Sequence, residues 1–224
     1  VKGILRPVLA ILWKDMLLEI RTKEMVTPIL VFAFLVVVIF NFVFEPTPAL
    51  VAAVAPGVLW VAFTFAGVLG LNRAFALEKE RGGIEGLLLC PVGRDLIYLG
   101  KFLGSLLFML VVEAVMFPIF SLLFNLPLLI PELWLVGLAA TVGFVAVGTV
   151  FSAMSVNTRA REIMLPVLFF PIAVPVIIAA VEASGAILGD RGWSDYSQWL
   201  QLIVVFDVIF LVVAAITFEF VLEE

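Results

Sequence analysis

Histidine is absent from all 224 residues of the chain, and cysteine occurs once, at Cys90. Without histidine the chain lacks the commonest metal ligand and the side chain that most often moves protons in catalysis. A lone cysteine excludes an internal disulfide, so there is no redox framework to read. The chain has no Gly-x-x-x-x-Gly-Lys-Ser/Thr run to cradle phosphates and no Gly-x-Ser-x-Gly elbow to present a nucleophile. Nothing recognisable is left from which to build an enzyme's catalytic group set. Charge is also scarce, at 14% of residues, where soluble domains carry about a quarter. A cleavable signal peptide is not expected, because the first apolar run follows a long charged segment and precedes no small-residue cleavage site.

What the chain has is apolar length. Apolar residues make up 64% and the mean hydropathy is +1.26. A membrane span needs about 20 mainly apolar residues, and six candidate stretches lie at 27–44, 50–71, 100–124, 132–156, 163–187 and 199–220. These runs are continuous, whereas the strands of a membrane barrel alternate over about 10 residues. The expected fold is an all-α membrane protein with six transmembrane helices, one polytopic unit without room for a soluble catalytic domain.

The basic residues orient it. Lys2, Arg6, Lys14, Arg21 and Lys23 precede the first span, Arg73, Lys79, Arg81, Arg94 and Lys101 follow the second, and Arg159 and Arg161 follow the fourth. Of the 13 Lys and Arg residues only Arg191 falls on the other side. Lys and Arg are retained on the cytoplasmic face, so both termini are expected in the cytoplasm, with outer loops near 45–49, 125–131 and 188–198. The net charge of −5 says little about partners, and no nucleic acid is expected among them.

Residues 3–24 are too polar to span and too apolar for a tail. Ile4, Val8, Ile11, Leu12, Met16 and Ile20 recur at helical steps between charged residues. Such a helix is expected in the inner interface with its apolar side toward the acyl chains; a cytoplasmic extension of the first span is the alternative. Within the spans, Ala62, Ala66 and Gly70 form a small-residue stripe, and Ala139, Gly143, Gly148 and Ser152 a looser one. Stripes of this kind let helices approach closely in lipid, so a tightly packed bundle or dimer is expected. Pro166, Pro171 and Pro175 in the fifth span read either as a flexing element or as a static kink. Trp193, Tyr196 and Trp199 are expected at the outer headgroup level.

The charge-dense stretch between the second and third spans is the organising feature. Glu78, Glu80, Arg81 and Glu85 are charged, Leu77, Ile84, Leu87 and Leu88 are apolar, and Gly82-Gly83 permits a sharp change of direction between two short helical pieces. Such a segment can insert into a groove on a soluble partner, leucines supplying buried contact and carboxylates setting orientation. The pattern fits a solvated loop with an interfacial leucine patch equally well. The remaining candidates are carboxylates inside the spans, Glu113, Asp207 and Glu182. Ionisable groups in lipid usually face a cavity or partner, and beyond Lys101 at the very start of the third span no Lys or Arg lies within the spans to pair with them. Protonation or a contact from a partner chain is the expected solution. A neutral hydrogen-bonded Glu113, an Asp207 only part-way into the membrane and a Glu182 reaching the outer interface are the alternatives.

The run from Glu80 to Pro91 resembles the Glu-Arg-x-Gly-x-x-Glu-x-Leu-Leu-x-x-Pro loop of type-2 ABC transporter permeases, with Glu85 and Pro91 each one position earlier than in that pattern. One departure is Gly82, where many of those permeases carry a charged residue before the glycine. More narrowly, Trp13-Lys14-Asp15 with Glu19 and Arg21, the run from Ala55 to Ala62, and the Leu87-to-Pro91 ending resemble the heme exporter protein B family of cytochrome c maturation. The similarity covers most of the chain, in length, spans and the N-terminal helix.

The resemblance implies a permease subunit of the bacterial inner membrane that forms a homodimer or pairs with a related membrane subunit. It divides the chain into an elbow helix, residues 1–26, and a six-span permease domain, residues 27–224. It makes Glu78, Glu80, Arg81, Gly83, Ile84, Glu85, Leu87 and Leu88 the coupling helix that docks on a separate ATPase subunit, which binds the ATP. It also implies a multi-span heme-handling subunit and a periplasmic heme chaperone as partners. Histidine is the usual protein ligand to heme iron, so heme handled by the complex is expected to be ligated by partners and not by this chain. The competing reading is an autonomous proton- or ion-coupled carrier using Glu113 and Asp207, which predicts an internal inverted repeat that the sequence does not reveal.

Overall fold

A computed structural model describes residues 2–43, 48–80, 82, 83, 86, 89, 92–156 and 161–221. Seven helices are delimited among the described residues: α1 (Lys2–Thr22), α2 (Val26–Val43), α3 (Pro48–Glu80), α4 (Arg94–Phe124), α5 (Pro131–Ser155), α6 (Arg161–Leu188) and α7 (Trp193–Val221). No strand occurs among the described residues. The six helices α2–α7 are long and apolar enough to cross a membrane, and this is a multi-pass helical membrane protein. Successive spans alternate in direction. One end of the bundle gathers α1, the end of α3 and the start of α4, and it is called the basic end below.

α5 stands at the centre. Its span is 72% buried, against 17% for α2 and 28% for α7, and α3, α4, α6 and α7 pack around it. Small residues make the crowding feasible. Gly143 meets Phe206 and Asp207 of α7, while Gly148 meets Leu71 of α3 and Phe169 of α6. Gly70 of α3 receives Ile29 of α2, and Ala62 and Ala66 are buried beside it in the chain. Both small-residue stripes are therefore used in packing within one chain.

Three boundaries differ from expectation. α3 does not end near residue 71 but continues through Arg73 to Glu80, a 33-residue helix. At 1.5 Å per residue it is about 50 Å long, well beyond the roughly 30 Å of a bilayer's hydrocarbon core. The Ala, Leu, Glu and Lys of residues 74–80 are strong helix formers, so charge ended the apolar run without ending the helix. The helix stops where Gly82 takes a left-handed φ of 66°, its N–H donating to the Lys79 carbonyl at 3.0 Å. α4 likewise starts at Arg94, earlier than expected, and α7 starts at Trp193, so the aromatic segment expected at the outer headgroups forms the first turns of the sixth span. α6 runs unbroken through its three prolines.

The N-terminal helix is apolar on two faces, and part of the expected face is turned inward while its Ile20 is exposed. Val8 and Ile11 are buried, whereas Leu5, Leu9, Trp13, Leu17 and Ile20 form the exposed stripe. A three-and-four spacing identifies an apolar face but not which of two such faces the protein itself covers.

Gly67 of α3 supplies a test. A methyl group there would lie 2.5 and 2.9 Å from the Phe144 ring and 3.0 Å from Met109, while one on Gly57 of the same helix would meet nothing within 4 Å. Equilibrium unfolding in mixed detergent micelles should show Gly67→Ala losing about 1–3 kcal/mol through overpacking. Gly57→Ala should stay within about 0.5 kcal/mol of the parent. Equal effects would contradict the packing.

Candidate functional site

Four charged side chains from three helices close a ring at the basic end. Lys14 Nζ donates to Glu78 Oε1 at 2.6 Å and Oε2 at 2.7 Å, and lies 3.0 Å from Asp15 Oδ1. Lys101 Nζ donates to Asp15 Oδ2 at 3.0 Å and Oδ1 at 3.2 Å, and also to Glu78 Oε2. Each charge thus touches two of opposite sign, and the ring sums to zero. Phe75 lies beside Lys101, its centroid 5.8 Å from Nζ. The Lys101 side chain is only 4% exposed, so these carboxylates and not water are the partners of its ammonium. Lys14 is 43% exposed. Burial works against its charge, but Asp15 and Glu78 outweigh it and hold the ammonium above the ordinary lysine pKa of 10.5. Its stabilising contribution is therefore complete below that value and is lost only at still higher pH.

Backbone proximity makes the ring possible. Gly100 and Gly104 are four apart on α4 and form a notch for Ile11 and Asp15, four apart on α1. A Cβ on Gly100 would lie 2.9 Å from Ile11 Cβ, and one on Gly104 would lie 3.9 Å from Asp15 Cβ. The register rises on both helices together, so α1 follows α4 over this turn. Gly83 rests on the Glu78 carboxylate so closely that any side chain there would overlap it. The ring is extended on either side. Glu19 accepts from the backbone N–H of Met25 at 3.2 Å and of Val26 at 2.7 Å, satisfying the start of α2. Lys79 Nζ donates to the Val156 carbonyl at the end of α5, at 3.2 Å. A cavity of about 20 Å³ beside Asp15, Glu19, Glu78, Lys101 and Ser105 has room for a guest the size of one water molecule, far below a macrocycle.

Of the loop residues proposed for ATPase docking, Glu78 is buried in the ring, Glu80 is exposed and Gly83 lies over Glu78. Arg81, Ile84, Glu85, Leu87 and Leu88 lie outside the described residues, as does Cys90. Lys14, Asp15 and Lys101 were read only as flanking charge or as family signature. Gly100-x-x-x-Gly104 was the overlooked signal, a close-approach motif beginning one residue before a lysine inside an apolar run.

The intramembrane carboxylates are not brought together. Glu113 of α4 is 1% exposed and accepts a hydrogen bond from the Thr141 hydroxyl of α5. Asp207 of α7 is 8% exposed and packs on Gly143; its Oδ1 has no hydrogen-bond partner among the described residues. Thr141 and Gly143 are two positions apart, about 200° around a helix, so α5 stands between the carboxylates. Glu182 of α6 is exposed.

Fold and site together define a six-span membrane protein whose longest helices, α3 and α4, flank a charged connection and are tied at its base to an N-terminal helix. The chain belongs to the CcmB protein family, which it matches over residues 6–223. It is 32% identical to the Heme exporter protein B of Pseudomonas aeruginosa, over 80% of this chain and 81% of that protein. Identity to the Heme exporter protein B of Rhodobacter capsulatus is 30%, over 77% and 80% of the two chains. The protein of the same name from Escherichia coli K12 is 26% identical, over 78% and 81%.

Lys101→Met should be far more damaging than Lys14→Met. Removing Lys101 leaves Asp15 and Glu78 to share the half-exposed Lys14 and takes away their only buried cation, a class of change that costs about 3–5 kcal/mol. Lys14 is half in solvent, where a lost ion pair costs about 0–1 kcal/mol. Unfolding in mixed micelles compares them directly, and similar losses would mean that the ring is not the stabilising unit.

Proposed function

We propose that this chain is the permease subunit of an ATP-driven transporter serving cytochrome c maturation. ATP hydrolysis on a separate ATPase subunit is coupled through residues 78–90 to heme export, or to release of the heme-loaded periplasmic chaperone. Family membership and the relatives' name, heme exporter, support the cargo. The observation that carries the coupling is the anchoring of both helices that flank the loop: Glu78 at its entry and Lys101 beyond its exit share one buried ion ring with α1. A partner pressing on the loop would meet a braced surface. The distribution of Lys and Arg supports a cytoplasmic loop and cytoplasmic termini, and the bacterial relatives support the inner membrane. A multi-span heme-handling subunit and a second permease copy or related subunit complete the assembly. Heme is cargo here. With no histidine in the chain, its iron is held by the partners. A carrier working through Glu113 and Asp207 together is disfavoured by the helix that separates them.

Glu85→Lys and Leu88→Asp should each reduce recovery of the ATPase at least tenfold when the tagged permease is purified gently from native membranes. The amount of permease in the membrane should not change. Unchanged ATPase recovery would remove the loop from the docking role. Heme absorbance should follow the multi-span partner, and heme retained by this chain alone would contradict ligation elsewhere.

A further inference from the structure

We infer that α1 and the two stems of the loop move as one rigid block during the transport cycle, with Lys101 as the positioning residue that keeps them in register. The inference rests on the coupling role proposed above and deepens it by naming the part that carries displacement away from the loop.

Three observations converge on this assignment. The ring joins α1, α3 and α4 through charges of which three are largely sealed from water; Lys101, Glu78 and Asp15 side chains are 4%, 7% and 13% exposed, and only Lys14 reaches solvent. The apolar contact beneath it is a notch, with Ile11 and Asp15 seated at Gly100 and Gly104. A shift of α1 by one helical turn, about 5.4 Å, would open the Asp15–Lys101 and Lys14–Glu78 contacts and drive side chains against the notch wall. Lastly, Gly83 lies against the Glu78 carboxylate, so the loop backbone bears on the ring itself. Small rotations of the loop are then passed to α1 as a whole. From α1 the connection continues through Glu19, whose carboxylate holds the first N–H groups of α2. α2 is the least buried span and is the element placed to follow the block. The alternative is a sliding joint, in which α1 changes register on α4 with each turnover.

A covalent tie separates the two. The Cβ separation of 3.9 Å between Asp15 and an added Cβ at Gly104 lies within the 3.5–4.5 Å that a disulfide requires. The double variant Asp15→Cys, Gly104→Cys is made on a Cys90→Ser parent and purified as the complete complex with its ATPase. ATP hydrolysis and ATP-dependent loss of heme absorbance are then read on reduced and oxidised samples. Reduced, the variant lacks the Asp15 tie and should hydrolyse ATP while releasing heme at least tenfold more slowly than the parent. Oxidised, the disulfide replaces the ionic tie and release should recover at least fivefold. Lys101→Arg should likewise retain release that Lys101→Met loses, at equal complex yield. Full coupling in the reduced variant, or no recovery on oxidation, would overturn the rigid block. A Cys90→Ser parent that neither hydrolyses ATP nor releases heme on its addition, with the unaltered complex behaving alike, would instead reject the proposed function.

Discussion

A lysine ammonium closed off from water at the base of the bundle sets the terms for everything around it. Carboxylates reach Lys101 from two directions, and those come from residues 86 and 23 positions away in the chain. Asp15 requires α1 to lie against α4, which in turn requires the glycine notch. Glu78 requires α3 to remain helical well past the end of its apolar run. The tethered N-terminal helix, the overlong α3 and the early start of α4 are three consequences of one buried charge. An isolated charge of this kind would be several kcal/mol unfavourable, whereas a closed ring with alternating signs and short contacts offsets much of that cost. Polar networks that are fully satisfied give rigidity and a unique arrangement.

The interior of the bundle follows a different rule. Around α5 the packing relies on glycine, alanine and interlocking phenylalanines, with few hydrogen bonds between spans. Lipid offers no hydrophobic gain for helix association, so close approach of backbones takes over that task. Trp60 donating to Ser184 at 2.9 Å and Ser152 donating to the Leu71 carbonyl are among the exceptions, pinning α3 to α6 and α5. Glu113 is accommodated by Thr141, but Asp207 leaves one oxygen unpaired. Charge is thus concentrated where a soluble partner would act, and the membrane interior is left to shape. That division fits the coupling role proposed above, in which work received at one end changes the packing of apolar spans.

Much of this was legible in the residues. Composition and the length of the apolar runs defined a six-span helical protein, because a bilayer imposes a long, nearly charge-free signal on each helix. The charged end of α3 was misread as loop, since charge marks the end of an apolar run but residues 74–80 retain strong helix propensity. The burial of Val8 and Ile11 could not be foreseen because α1 carries apolar residues on two faces, and only tertiary contact decides between them. The ring itself was hidden by distance in sequence. Lys14, Asp15 and Lys101 each look like ordinary flanking charge, and only the paired glycines at 100 and 104 hinted that a helix would approach there. The separation of Glu113 from Asp207 was equally invisible, since it depends on which helix lies between them.

The measurement that bears most directly on the central claim is a double-mutant cycle on Asp15 and Lys101, read by equilibrium unfolding in mixed micelles. If the two charges belong to one buried unit, Asp15→Asn and Lys101→Met will each be costly. The double variant will then lose less than their sum by about 1.5 kcal/mol or more, within the range seen for coupled neighbours. Additive losses would mean that the two residues act independently, and the ring would not be what holds α1, α3 and α4 together.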